Sequence, residues 1–123
     1  MSEIDKKLAQ LNLTLPPAPK PAGLYKPMLM VGNLAYVSGH GPLQGDGKLI
    51  TGRLGADMTL EQGQAAARQT GLAMLATLRA GLGSLDRVVR VVKILGHRRI
   101  LGFRRTFNVA VCRWSDKFRC DAA

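Results

Sequence analysis

Several things are scarce in this sequence, and each shortage closes off a class of function. No uninterrupted apolar run approaches the eighteen or so residues that a bilayer-crossing helix needs, so no membrane partner is expected. The first twenty residues, MSEIDKKLAQLNLTLPPAPK, have lysines but no long apolar stretch behind them. They do not read as a secretory leader, and the cytoplasm is the expected location. The only two cysteines, Cys112 and Cys120, do not make a disulfide scaffold. With His97 they match no zinc spacing and lack a fourth ligand, so no metal is expected and the thiols read as a free, oxidisable pair.

Acidic residues are also few, 8 against 18 Lys and Arg, for a net charge of +10 over 123 residues. The imbalance is uneven. Residues 1–96 hold 11 basic and 6 acidic side chains, a surplus of five. Residues 97–123 hold 7 and 2, the same surplus in a much shorter length, together with every Phe and the only Trp. The break falls just after Gly96 and divides the chain into residues 1–96 and a basic tail, 97–123. The tail mixes Arg98, Arg99, Arg104, Arg105, Arg113 and Arg119 with Phe103, Phe107, Trp114 and Phe118. Arginines for phosphates and aromatics for bases are how single strands of nucleic acid are held, so non-specific, salt-sensitive RNA binding is expected of it.

Residues 3–11 suit a short helix, with Ile4, Leu8 and Leu11 on one face and Ser2 and Asp5 in a capping pattern. Pro16, Pro17, Pro19 and Pro21 then impose an extended connector. Residues 25–31 and 34–38 read as strands joined by a Gly32-Asn33 hairpin turn. The second strand runs into Ser38-Gly39-His40-Gly41-Pro42, where small residues leave backbone groups open to a ligand, and Asp46-Gly47 marks another turn. Any small-molecule site is expected to have residues 38–42 as its rim. Residues 49–54 suggest a third, edge strand.

The clearest helix covers 60–82. Thr59 and Gln62 form a capping box, Asp57 and Glu61 complement the helix dipole, and Ala65, Leu72, Leu75, Ala76 and Leu82 share a face. Gly63 and Gly71 point to close approach of a sheet, and Gly81 and Gly83 mark the end. Residues 86–95, DRVVRVVKIL, carry β-branched side chains on both faces and read as a central strand covered twice. The three-residue recurrence of Arg87, Arg90 and Lys93 keeps a helix as the rival. Phe107, Val109 and Val111 alternate and can form one further strand. The sum is an α+β layer with a helix packed on one face of a sheet.

The segments LPPAPKPAGLYKP, VGNLAYVSGHGPLQGDGKLITGRLGADMT and EQGQAAARQTGLAMLATLRAGLGSLDRVVRVVKILG, in that order, resemble the reactive intermediate deaminases, the YjgF-like family. The likeness covers about residues 15–96 and is greatest to the branch labelled endoribonucleases of the liver perchloric-acid-soluble type. It implies a chorismate-mutase-like mixed sheet with helices on one face, a homotrimer with clefts between subunits, and hydrolysis of 2-imino or 2-enamino acids to 2-oxo acids and ammonia without a cofactor. Tyr25 corresponds to the tyrosine at the cleft mouth, and Ser38 and Gly39 to the strand-end pair that touches the ligand. His40 stands where many members have glutamine.

In the family, an arginine pairs bidentately with the substrate carboxylate and a glutamate positions water. Both lie in the last two strands. Here no glutamate follows Glu61, and Arg104, Arg105 and Arg113 are not in the family's proline-alanine-arginine-serine type of context. The catalytic residues are therefore unassigned. The domain is expected to be incomplete at its C-terminus, marginal in stability, and weak or inactive as a deaminase. A basic RNA-binding or endoribonuclease-like protein is the alternative. A shift of reading frame at about Gly96 accounts for the break. Codons for 97–123 can be chosen that, read one base later, spell IVESSAFAERSTSPSVDGATNFAAML, which continues the strand, adds a polar loop and starts a helix.

Overall fold

In a computed structural model of the chain, the residues described are 2–21 and 23–96, with 108–114 as backbone. The N-terminal helix α1 (Glu3–Gln10) is short for its own stability and is held at its start from two directions. The Ser2 hydroxyl accepts from Asp5 N at 3.0 Å, and the Asp86 carboxylate accepts from Glu3 N and Ile4 N at 3.0 and 2.9 Å. All three otherwise orphaned N–H groups of the first turn are thus satisfied. Asp86, 82 residues further along, is a clamp that the local pattern does not announce.

Strands β1 (Met28–Val31) and β2 (Leu34–His40) form the expected hairpin, with Val31 opposite Leu34 and Gly32 at φ 56° in the turn. The first strand starts at Met28 and not at residue 25. Pro27 has no N–H to give a ladder, and the carbonyls of Lys26 and Pro27 instead receive the hydroxyl and N–H of Ser38. Residues 49–54 do not form the expected strand. They contribute isolated bridges only, Leu43 to Leu49 and Leu54 to Met58, because the Arg53 carbonyl accepts from the N–H groups of Ala56, Asp57 and Met58 in a tight local turn.

Helix α2 (Leu60–Leu82) has both halves of its capping box in place. It ends at Gly83, whose φ of 83° suits glycine, and the Arg87 guanidinium donates to the Leu82 carbonyl at 2.7 Å. The buried stripe is broader than the expected one: Leu72, Ala76 and Leu82 are buried and Leu75 half-buried as expected, Thr70, Ala73, Met74, Thr77 and Leu78 are buried beside them, and Ala65 is exposed. Close approach is made at Gly63, against Leu54 of the preceding loop, and at Gly81, against Met28 of β1. Gly71 has nothing near it.

The four strands lie in the order β1-β2-β4-β3, with β3 at Val88–Gly96 and β4 at Asn108–Trp114. The three strand pairs of this sheet are antiparallel, and the one parallel bridge among the described residues, Leu54 to Met58, lies outside it. The strand expected at 86–95 begins at Val88, after a turn of 3-10 helix at Leu85–Arg87, and among the described residues it is not covered twice. Among the described residues β3 is an edge, with Val89, Val92 and Ile94 exposed. Its valines favour an extended backbone, but that preference does not say what covers it. The strand expected around Val109 and Val111 forms and fills the place between β2 and β3.

The core joins Ala35 and Val37 of β2 to Met74, Leu78 and Leu82 of α2 and to Leu85, with Ile4, Leu8, Leu15 and Met28 packed around them. On the opposite sheet face Leu29, Val31 and Tyr36 remain exposed.

Candidate functional site

The site is built by an irregularity at the end of β2. Ala35 and Val37 face the helix, so strict alternation would turn residue 39 inward and residue 40 out. The pairing of β2 with β4 slips between Val37 and His40. A bulge of this kind changes the phase of a strand, and it is His40, 6% exposed, that joins the buried side.

The His40 ring is fixed at both nitrogens. Nδ1 lies 2.6 Å from the Ser38 carbonyl and Nε2 lies 2.7 Å from the Thr77 hydroxyl. A carbonyl only accepts, so Nδ1 carries the hydrogen; Nε2 then accepts from the hydroxyl. Burial pushes the pKa below the ordinary histidine value, and the bond to the Ser38 carbonyl, which favours the charged form, offsets this only in part. The imidazole is therefore neutral at pH 7.

Ser38 is used up in holding this corner. Its N–H donates to the Pro27 carbonyl at 2.9 Å, its hydroxyl to the Lys26 carbonyl, and its own carbonyl takes the His40 hydrogen. The hydroxyl is thus directed to the start of β1 and not to the imidazole.

In front of this corner opens a cleft of about 220 Å³. It is lined by Gly39, His40 and Gly41 at the end of β2, by Pro19, Lys20 and Pro21 of the proline connector with Tyr25 and Pro27, and by Leu43, Gly47 and Leu49. The last three belong to a small hairpin with the Asp46-Gly47 turn at its tip. Gln44 N donates to the Lys48 carbonyl at 2.8 Å, Lys48 N to the Asp46 carboxylate at 3.0 Å, and Ile50 N to the Pro42 carbonyl at 3.0 Å. Gln69 of α2 ties the hairpin down through a bond from Nε2 to the Leu43 carbonyl. Helix α2 therefore holds the cleft's lining residues at two points, His40 through Thr77 and Leu43 through Gln69.

Of the expected site residues, Tyr25, Gly39 and His40 meet at the cleft wall and Ser38 supports it from behind. Thr77, Gln69 and Lys20 were not legible as site residues. The available signal was a polar side chain, Thr77, in a stripe whose only other buried polar member is Thr70. Arg98, Arg99, Arg104, Arg105, Arg119, His97 and Cys120 lie outside the described residues, as do the side chains of Cys112 and Arg113; the expectation of a nucleic-acid-binding tail falls there. Among the described residues no three His, Cys, Asp or Glu side chains come together as a metal site, and no helix is long and apolar enough to cross a membrane.

Residues 5–105 match the family described as "YjgF/chorismate_mutase-like, putative endoribonuclease". A curated relative, Protein TCP17 of Trypanosoma cruzi, is 44% identical over 87 residues, which are 71% of this chain and 54% of that protein. The chain thus spans about half the length of that relative. Among solved structures, a putative endoribonuclease from Shewanella oneidensis MR-1 superposes with a TM-score of 0.80 at 22% identity, covering 91% of this chain and 99% of the other. Protein Atu1372 of Agrobacterium tumefaciens, of unknown function, superposes with a TM-score of 0.73 at 25% identity, covering 90% and 91%.

Proposed function

The chain belongs to the YjgF/chorismate-mutase-like family, and from that premise we propose that its cleft binds reactive 2-imino and 2-enamino acids and hydrolyses them to 2-oxo acids and ammonia. The observation that carries this reading is that Tyr25, Gly39 and His40 all line one small cleft, since the resemblance gives Tyr25 and Gly39 contact with ligand. In the reaction an enamine first takes a proton at carbon to become the imine. Water then adds to the imine carbon, the nitrogen takes up protons, and ammonia leaves as the carbonyl forms.

Apolar walls suit such a substrate. His40, neutral and engaged at both nitrogens, serves as wall and not as base. Without the family's arginine and glutamate in recognisable positions, hydrolysis is slower than in members that carry both. The working form in this reading is a homotrimer, and the exposed sheet face of Leu29, Val31 and Tyr36 is the surface that assembly would cover. Residues 97–123 then represent a changed reading frame.

The test is ammonia release from freshly generated 2-aminoacrylate beside cleavage of a single-stranded RNA. Acceleration over buffer with intact RNA supports the proposal. RNA cleavage without imine hydrolysis favours the endoribonuclease reading, for which the basic tail is the argument, and refutes this one.

A further inference from the structure

Resting on the deaminase reading of the cleft, we propose that Lys20 is the residue that holds the substrate carboxylate in this chain, and that the cleft thereby selects monocarboxylates with an apolar body. Among the described residues lining the cleft, Lys20 has the only formal charge, because the imidazole of His40 is neutral and both its nitrogens are occupied. An anion entering the cleft meets one ammonium and no other cation of the described wall.

The place of that ammonium is set by its neighbours. Pro19 and Pro21 both line the cleft. Each fixes its own φ, and Pro21 also keeps Lys20 out of the helical region. The lysine stem thus leaves a backbone with little freedom to lose when a ligand binds. Lys20 is exposed, and among the described residues no carboxylate pairs with it. It is not committed to holding the fold.

The remainder of the wall selects the rest of the ligand. Tyr25, Leu43 and Leu49 present ring and aliphatic surface. A ligand with its carboxylate at Lys20 and an apolar substituent against the leucines meets both the charged and the apolar part of the lining. A second carboxylate would be placed against apolar groups with no cation to meet it, which is unfavourable. Lys20 also supplies, from the N-terminal side of the chain, the cation that the family places near its other end.

The test uses the full chain and stable keto acids. 2-Oxobutanoate, its neutral amide 2-oxobutanamide, and 2-oxoglutarate are titrated while protein amide shifts are followed by NMR. Wild type is expected to bind 2-oxobutanoate more tightly than the other two, with an affinity that falls as salt rises. Lys20→Gln should weaken 2-oxobutanoate on the order of fivefold and flatten the salt response, leave 2-oxobutanamide unchanged, and Lys20→Arg should restore binding. Equal 2-oxobutanoate affinity in wild type and Lys20→Gln, with 2-aminoacrylate hydrolysis intact, overturns the role of Lys20 and leaves the deaminase reading standing. Equal weakening of acid and amide also overturns it, as a merely structural effect. No binding of 2-oxobutanoate and no acceleration of 2-aminoacrylate decay by wild type overturns both.

Discussion

Replacing Thr77 by valine removes one hydroxyl and keeps the side-chain shape, so the change isolates a single bond. The bond lost is the 2.7 Å contact to His40 Nε2, in a place where His40 is 6% exposed and Thr77 4%. Turning the imidazole to its other tautomer gives no relief. The hydrogen would leave Nδ1, which the Ser38 carbonyl needs at 2.6 Å, and would sit on Nε2 facing a methyl group. A buried polar group left without its partner costs about 1–3 kcal/mol. For a domain of this size that is a fall in Tm of roughly 4–12 °C. His40→Gln is expected to be mild, because an amide can donate to the Ser38 carbonyl and accept from the Thr77 hydroxyl.

The same pair sets a pH dependence whose sign follows from burial. The unfolded chain takes up the His40 proton near pH 6.5, and the folded chain only at lower pH. Between the two values the unfolded state binds more protons. The contribution of His40 to stability is therefore full above about pH 6.5 and declines as pH falls to the folded value, by at most about 1.4 kcal/mol per pH unit. Thermal or urea unfolding of wild type and His40→Gln across this range measures the difference, and His97 cancels because both chains contain it. A Thr77→Val chain as stable as wild type, or a wild type and His40→Gln with parallel pH curves, would show that the described bonds are not what holds this ring.

Two further substitutions probe how the cleft is supported. Gly71→Ala, with nothing within 4 Å of the new Cβ, is expected to stabilise by about 1 kcal/mol through helix propensity. Gly63→Ala puts its Cβ into the Leu54 side chain, so overpacking outweighs the same gain and leaves a net loss of about 1 kcal/mol; denaturant unfolding of the pair reads the contrast. Asp86→Ala removes both clamps on α1 and should cost about 2 kcal/mol, with residues 3–10 becoming the first segment to exchange amide hydrogens or to be cut by protease.

What was legible depended on the range over which each signal acts. The cap at Thr59, the hairpin at Gly32-Asn33 and the turn at Asp46-Gly47 are decided by residues a few positions apart, and they stand where the sequence puts them; of residues 38–42, Gly39, His40 and Gly41 line the cleft. The clamp from Asp86 to the first turn of α1 and the grip of Thr77 on His40 depend on partners 37 to 83 residues away. Nothing local encodes those pairings. The bulge after Val37 belongs with them, since it is a relation between β2 and β4, and it decides which way His40 points.

That division also bears on how a segment whose charge balance differs from the rest of the chain can complete the sheet. A ladder is made from N–H and C=O groups, which every non-proline residue carries, so a stretch with modest alternation such as 108–114 can pair with β2 on one side and β3 on the other. A carboxylate-binding arginine or a water-positioning glutamate is a particular side chain at a particular register, and one residue of slippage turns it to the other face. If residues 97–123 are read in a changed frame, the fold is therefore the property that survives and the charged half of the site is the property that is lost. Sequencing the source locus should find, one base along, an open frame that begins with IVESSAFAERSTSPSVDGATNFAAML and goes on to encode the arginine and glutamate. A locus without such a frame would mean that 97–123 are this protein's own end, and the break in charge after Gly96 would then need a functional explanation.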